Sequence, residues 1–316
     1  MSSSSFWEQQ SVLVTGGGGF LGSHVVAQLK KRGIQESQLV IPRKKNYDLR
    51  EREVCRDLVK GKTMVLHLAG NVGGIGYNDA HVAEMFFDNL VMGTELMEAA
   101  YRAGVQKFVT LGTICSYPKN TPTPFREDYL WQGYPEEITG PYGLVKKMLL
   151  VQAQAYRTQY GFKGIFLMPV NLYGPDDNFN PSSSHVIPAL IKTVYEAKKT
   201  NAPFITAWGT GKPTREFLYV EDAARAIVLA LLYYDKPEPV NLGSGREISI
   251  KDLLTLIAKI MDYKGKVRWD ILKPDGQPRR RLNVSRAKKE FGFSAKISFE
   301  EGVKKTINWY QQHATI

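Results

Sequence analysis

Residues 12–26 read VLVTGGGGFLGSHVV. An aliphatic run leads into a cluster of glycines, and apolar residues then return at helical spacing as far as Gly33. The pattern predicts strand, glycine turn and helix. Gly16, Gly19 and Gly22 stand at GxxGxxG spacing. The first glycine permits a tight turn and the second lets backbone approach a pyrophosphate. The third lets helix and strand pack closely, while the helix N-terminus attracts phosphate. The stretch therefore predicts a dinucleotide cradle built from Gly16, Gly17, Gly18, Gly19, Phe20, Leu21 and Gly22.

Outward from this turn the chain alternates short apolar runs with longer helical patterns. Strands are predicted at 11–15, 38–42, 64–70, 107–112 and 164–170, and helices at 20–33, 81–103 and 140–161. This alternation argues for an α/β fold: a Rossmann-type doubly wound parallel sheet with a smaller mixed α/β C-terminal substrate lobe. Beyond about residue 175 a polar, proline-containing stretch, GPDDNFNPSSS, changes the pattern. The expected division is a cofactor domain over 1–173, with 215–240 returning to it, and a lobe from 174–214 and 241–316.

The second predicted strand ends in IPRKKN. An acidic residue there suits a free ribose 2′-hydroxyl; Arg43, Lys44 and Lys45 suit a 2′-phosphate, so NADP(H) is expected over NAD(H). The 316-residue chain carries a net charge of +11, which fits polyanionic small ligands. No block of basic residues interleaved with aromatics suggests nucleic acid. Two cysteines, Cys55 and Cys115, form no disulfide framework and point to a reducing compartment, so a cytoplasmic location is expected. The start MSSSSFWEQQ lacks the features of a signal peptide, and no apolar run approaches a membrane span. The five histidines are scattered and match no zinc pattern, so no metal is expected.

Two further stretches carry chemistry. YGLVK sets Tyr142 and Lys146 four residues apart on one helix face. An ammonium beside a phenol lowers the pKa of the phenol and makes it a usable acid/base. YEAKK repeats that spacing at Tyr195 and Lys199, but no strand ending in a hydroxyl residue precedes it. The second stretch, LGTICSYPK at 111–119, ends a predicted strand with Thr113 and Cys115 two residues apart. In extended chain these two side chains share a face.

Together, TGxxGxxG, a strand-end Ser/Thr and YxxxK resemble the extended short-chain dehydrogenase/reductase superfamily. That resemblance implies a substrate-oxygen contact for Thr113, an acid/base role for Tyr142 and a ribose anchor in Lys146. It also matches Asn89, read here as structural. NVGGI (71–75), YPK (117–119), MPVNLYGPDDNF (168–179), SSHVIPALI (183–191), WGTGKPTREFLYVED (208–222) and KPDGQPRR (273–280) are similar to the GDP-L-fucose synthase family. This family epimerises GDP-4-keto-6-deoxymannose at C3 and C5 and reduces C4 with NADPH. The resemblance implies Cys115 and His185 as the proton-transfer pair. It implies Leu111, Gly112, Pro169, Asn171, Leu172 and His185 beside the cofactor. It implies Lys192, Trp208, Arg215, Asp275 and Arg280 around the nucleotide sugar, and a homodimer.

Three departures stand out. Thr113 and Ile114 replace the family's two serines, Lys192–Thr193 replaces a basic pair, and the run before VGGI differs. Ile114 and Cys115 also stand where a nucleotide-sugar 4,6-dehydratase needs an Asp–Glu pair. A UDP-hexose 4-epimerase needs no thiol/His pair. A non-catalytic dinucleotide sensor is disfavoured by the intact Tyr142 and Lys146. An enzyme acting on another keto-deoxy sugar is the remaining alternative.

Overall fold

In the computed structural model, residues 3–273 and 275–314 are described. Met1 and Ser2 of the polar start, and Pro274 of KPDGQPRR, lie outside these residues. Six parallel strands form the main sheet, in the order Leu39–Val40, Val12–Thr15, Met64–His67, Lys107–Leu111, Gly164–Pro169 and Val240–Leu242. The strands at 12–15, 64–67 and 107–111 are buried throughout, as their unbroken apolar runs require when helices cover both faces. Connections from Val12–Thr15 and Leu39–Val40 leave in opposite directions across the sheet. The crevice outside the carboxyl ends of Val12–Thr15 and Met64–His67 is therefore the topological switch point, where such folds bind ligands.

Helix Phe20–Lys31 packs with helix Val220–Tyr233, and helix Val82–Arg102 packs with Arg52–Val59 and Gly140–Tyr160. A second sheet centres on strand Thr214–Tyr219, which pairs with Glu247–Ser249, Arg279–Arg280 and Asn171–Tyr173. A two-stranded parallel pair, Phe204–Trp208 with Lys266–Asp270, completes the smaller half.

The boundary between the halves is finer than composition suggests. Helix Val220–Tyr233 buries Ala223, Ile227 and Leu231 in the core of the main sheet. Strand Thr214–Tyr219, however, pairs in the second sheet and stands between two cores. Leu218 points into the first, Phe217 and Tyr219 into the second, by the two-residue alternation of a strand. The chain also returns late to the main core: Val240, Leu242, Leu282, Ala287, Phe291 and Phe293 all belong to it. At residues 169–173 it passes directly from one sheet into the other, so the two halves share a continuous backbone at the site.

No helix among the described residues is long and apolar enough to cross a membrane.

Candidate active site

The glycine turn takes the shape its spacing predicts. Gly16 has φ +70°, and a Cβ there would lie 2.7 Å from the Ala69 nitrogen. A Cβ on Gly22 would collide with the Gly16 carbonyl oxygen, so the helix sits tightly on the turn. Gly19 occupies the N-cap of helix Phe20–Lys31 and no side chain caps it, leaving its first amides for an anion. Arg43 reaches across the turn, Nη1 donating to the Gly18 carbonyl at 3.0 Å. Lys44 is exposed beside it. The uncapped amides and the arginine laid on the turn fit a phosphorylated dinucleotide.

Behind the turn, Thr15 Oγ1 lies 2.9 Å from His67 Nδ1. Burial, with Lys146 nearby, lowers the His67 imidazole to about 3, so His67 is a neutral structural group. Asn89 is also structural: its amide donates to the carbonyls of Asn71 and Met85 and accepts from the Asn71 amide, holding the VGGI loop to the helix. In that loop the Gly74 amide donates to the Ser183 carbonyl at 2.9 Å, tying it to the segment just before His185.

Strand Lys107–Leu111 delivers the next residues. Leu111 and Gly112 end the strand beside Leu167, and Thr113 remains extended. The chain then departs from the sequence expectation: Ile114–Ser116 form a 3-10 turn, not extended strand. Thr113 caps that turn, its Oγ1 accepting from the Cys115 amide at 3.2 Å. The cap keeps hydroxyl and thiol together at the cleft although the strand has ended, and it leaves the Thr113 hydroxyl proton free to donate.

Helix Gly140–Tyr160 is seated directly on this turn. Gly143 packs against the Cys115 carbonyl, too closely for a Cβ, and the Ser116 hydroxyl donates to the Gly143 carbonyl at 3.0 Å. Tyr142 and Lys146 are thereby set beside Thr113 and Cys115, with Lys146 Nζ 5.7 Å from the Tyr142 ring centre. Their titration differs from expectation. Burial, reinforced by Cys115, raises the Tyr142 phenol above its ordinary value, while burial lowers the Lys146 ammonium to about 8. Desolvation dominates, so the Tyr142 phenol carries its proton at neutral pH.

His185 is at the N-cap of helix Val186–Lys199, open to water, and its ring has no hydrogen-bond partner among the described residues. Pro169, Asn171 and Leu172 lie on the passage between sheets; the Asn171 amide donates to the Glu216 carbonyl.

The basic residues form a wall opposite. Parallel pairing sets Arg215 and Arg280 abreast on neighbouring strands. Arg215 Nη1 donates to the carbonyls of Thr214 and Gln277, and burial together with Arg280 lowers its guanidinium to about 10. Arg280 faces Cys115, Glu136 and Gln277. Asp275 spends both carboxylate oxygens on Thr210, accepting from its amide and its hydroxyl at 2.7 Å each. Trp208, 68% exposed, lies nearby under Lys273. A run of contacts thus joins Asp275, Arg215, Arg280 and Cys115. Lys192 stands apart from it, paired at 3.8 Å with Glu196. Sequence reasoning passed over Glu136 and Gln277; only their nearness to Tyr142 and Arg280 in the chain marked them.

Residues 12–243 match the NAD dependent epimerase/dehydratase family. The chain is 38% identical to GDP-L-fucose synthase 1 of Arabidopsis thaliana over 301 residues, covering 95% of this chain and 92% of that one. The chain belongs to the GDP-L-fucose synthase family. A GDP-L-fucose synthetase from Naegleria fowleri, solved bound to NADP, superposes with a TM-score of 0.86 at 28% identity over 96% of this chain and 94% of that one. A GDP-6-OMe-4-keto-L-xylo-heptose reductase from C. jejuni gives a TM-score of 0.89 at 25% identity, over 99% of each chain.

Proposed function

We propose that this enzyme epimerises GDP-4-keto-6-deoxy-D-mannose at C3 and C5 and then reduces C4. The observation that carries the reading is the capped turn, which sets a hydroxyl and an accessible thiol against the Tyr142 helix. A C4 ketone acidifies the protons on both neighbouring carbons. Thr113 and Tyr142 donate hydrogen bonds to the C4 oxygen and stabilise charge that develops there. Cys115 and His185 remove and return the protons at C3 and C5. NADPH, when bound, supplies hydride to C4. Tyr142 protonates the resulting alkoxide, in keeping with its raised titration. Lys146 holds the cofactor ribose. Gly16–Gly22, Arg43 and Lys44 hold the phosphates, and Leu111, Gly112, Pro169, Asn171 and Leu172 line the nicotinamide end. Arg215, Lys192, Asp275 and Trp208 hold the nucleotide diphosphate and sugar.

The same reading takes the chain as a cytoplasmic homodimer. Phe86, Phe87, Met148 and Val151 remain exposed on the two helices Val82–Arg102 and Gly140–Tyr160, which pack side by side. Sedimentation at micromolar concentration tests this, with a dimer mass expected.

Mixing enzyme, NADPH and GDP-4-keto-6-deoxymannose should deplete absorbance at the nicotinamide wavelength. No oxidation by folded, NADPH-binding protein would sink the reading. One alternative is an enzyme for a different GDP-linked 4-keto sugar, supported by the likeness to a GDP-6-OMe-4-keto-L-xylo-heptose reductase from C. jejuni. A panel of GDP-linked 4-keto sugars, including heptose derivatives, decides which substrate gives the highest kcat/KM.

A further inference from the structure

The two cysteines occupy opposite surroundings. Cys55 is sealed in the core and donates to the Leu49 carbonyl, and burial pushes its thiol up to about 12. Cys115 borders the cleft, with its sulfur 3.8 Å from Arg280 Nη1. That guanidinium is clamped on its other sides. Nη2 pairs with Glu136 Oε2 at 2.9 Å and Nε donates to Gln277 Oε1. Gln277 is anchored in turn, its amide donating to the Lys119 carbonyl at 2.7 Å. The side chain of Arg280 is 12% exposed, so its charge is poorly screened by water.

The groups around the thiol come from four segments. Arg280 and Arg215 face it from paired strands, Tyr142 from the helix seated on its turn with Lys146 one turn further along, and Glu136, in the loop before that helix, lies behind Arg280. Glu136 is the single carboxylate of this set, and it touches Arg280. A cation beside a thiol favours the thiolate, the form that accepts a proton.

We propose that Arg280, clamped by Glu136 and Gln277, is a positioning residue that holds Cys115 in its anionic, proton-accepting form for epimerisation. The proposal rests on the proton-transfer reading of Cys115 given above. In the step it serves, sulfur takes the proton from the carbon beside the C4 ketone. The C–H electron pair becomes the enolate double bond, and negative charge passes to the C4 oxygen next to Thr113 and Tyr142. Arg280 keeps all its protons. Three of its five N–H donors are engaged by the thiol and its clamp.

The test is alkylation of Cys115 by iodoacetamide in the full chain without substrate, followed by peptide mass spectrometry from pH 5 to 10. Cys55 serves as the folding reference, since it reacts only when the core opens. Arg280→Gln should move the midpoint of reaction upward by at least one pH unit, and Arg280→Lys by less. Glu136→Gln keeps an acceptor for Arg280 but removes the opposing charge, so it should move the midpoint downward. An Arg280→Gln midpoint equal to wild type overturns the proposal. Should Arg280→Gln unfold, shifts of the same sign in Arg280→Lys and Glu136→Gln overturn it instead. Solvent deuterium entry at C3 and C5 in Cys115→Ser separates the two readings. Lost entry with an unshifted alkylation midpoint overturns only the assignment of Arg280. Normal entry at both carbons overturns the role of Cys115, and with it the epimerisation role of Arg280.

Discussion

The cofactor edge and the substrate wall of this cleft are built in opposite ways. The edge is built mainly on one continuous stretch, residues 12–26, where backbone shape forms the cradle and a Cβ at the wrong glycine ends it, with Arg43 laid across it from just beyond the next strand. The wall is made of side chains from distant segments. Cys115 meets Arg280, Arg280 meets Glu136, and Gln277 reaches Lys119. A local, backbone-built site is rigid and general, since pyrophosphate looks the same in every dinucleotide. A wall of side chains gathered from far apart is where specificity for one sugar can vary without disturbing the fold.

The comparison breaks most sharply at Tyr142, where edge and wall meet. Tyr142→Phe should lower the rate of ketone reduction by about 10³-fold while the dissociation constant for NADPH changes by less than about threefold, as expected for loss of a general acid. Single-turnover kinetics and fluorescence titration of the cofactor check both halves, and an unchanged rate removes Tyr142 from the chemistry. Next in size is the edge itself. Gly22→Val drives a branched side chain into the Gly16 carbonyl. Cofactor affinity should fall by about 10²-fold, since overpacking of this kind costs about 1–3 kcal/mol and here also moves the phosphate cradle. Calorimetric titration with NADPH reads this, and full affinity would mean that the helix tolerates a shift the backbone geometry forbids.

Lys146 sharpens the comparison through stability. Lys146 is 4% exposed, and burial lowers its pKa from 10.5 to about 8. Between these values the unfolded chain binds more protons than the folded one, so stability rises with pH across that window. Below about pH 8 the fold holds a buried charge at full penalty. Lys146→Met should therefore be more stable than wild type at pH 7, by about 1–3 kcal/mol, with the gain shrinking toward pH 10. Denaturant melts at pH 7 and pH 10 check the sign, and a variant less stable at pH 7 refutes it. The smallest effect belongs to the outer wall. Trp208 is mostly exposed, and Trp208→Ala should raise KM by about three- to tenfold with kcat intact, the signature of lost uniform binding. Steady-state kinetics showing a lower kcat instead would bring Trp208 into the reacting geometry.

This contrast also decides what could be read from sequence. The glycine turn was legible because its physics is local: spacing, strand before and helix after. The helices at 82–102 and 140–160 were legible from periodicity. Strand Thr214–Tyr219 was recognisable as a strand, but its sheet was not, since a strand buried in two cores gives no one-sided pattern. At Thr113 and Cys115 the local geometry differs from the extended chain that the spacing predicts, because a side-chain cap starts a turn there. The sign of the Tyr142 shift was missed for a similar reason. Spacing shows the ammonium near the phenol, but only burial shows that desolvation dominates. Glu136 and Gln277 carry no motif, and their part in the wall exists only once distant segments meet.

Arg215 and Arg280 lie abreast on paired strands. Like charges at neighbouring sheet positions oppose the pairing that brings them together. In the language of energy landscapes this register is a local conflict, tolerated in a chain whose other choices agree. Such conflicts mark where selection has acted on something besides folding. Arg280 is compensated by Glu136, so the conflict rests on Arg215, and a substitution there that relieves the repulsion should make a sturdier protein and a poorer host for an anion.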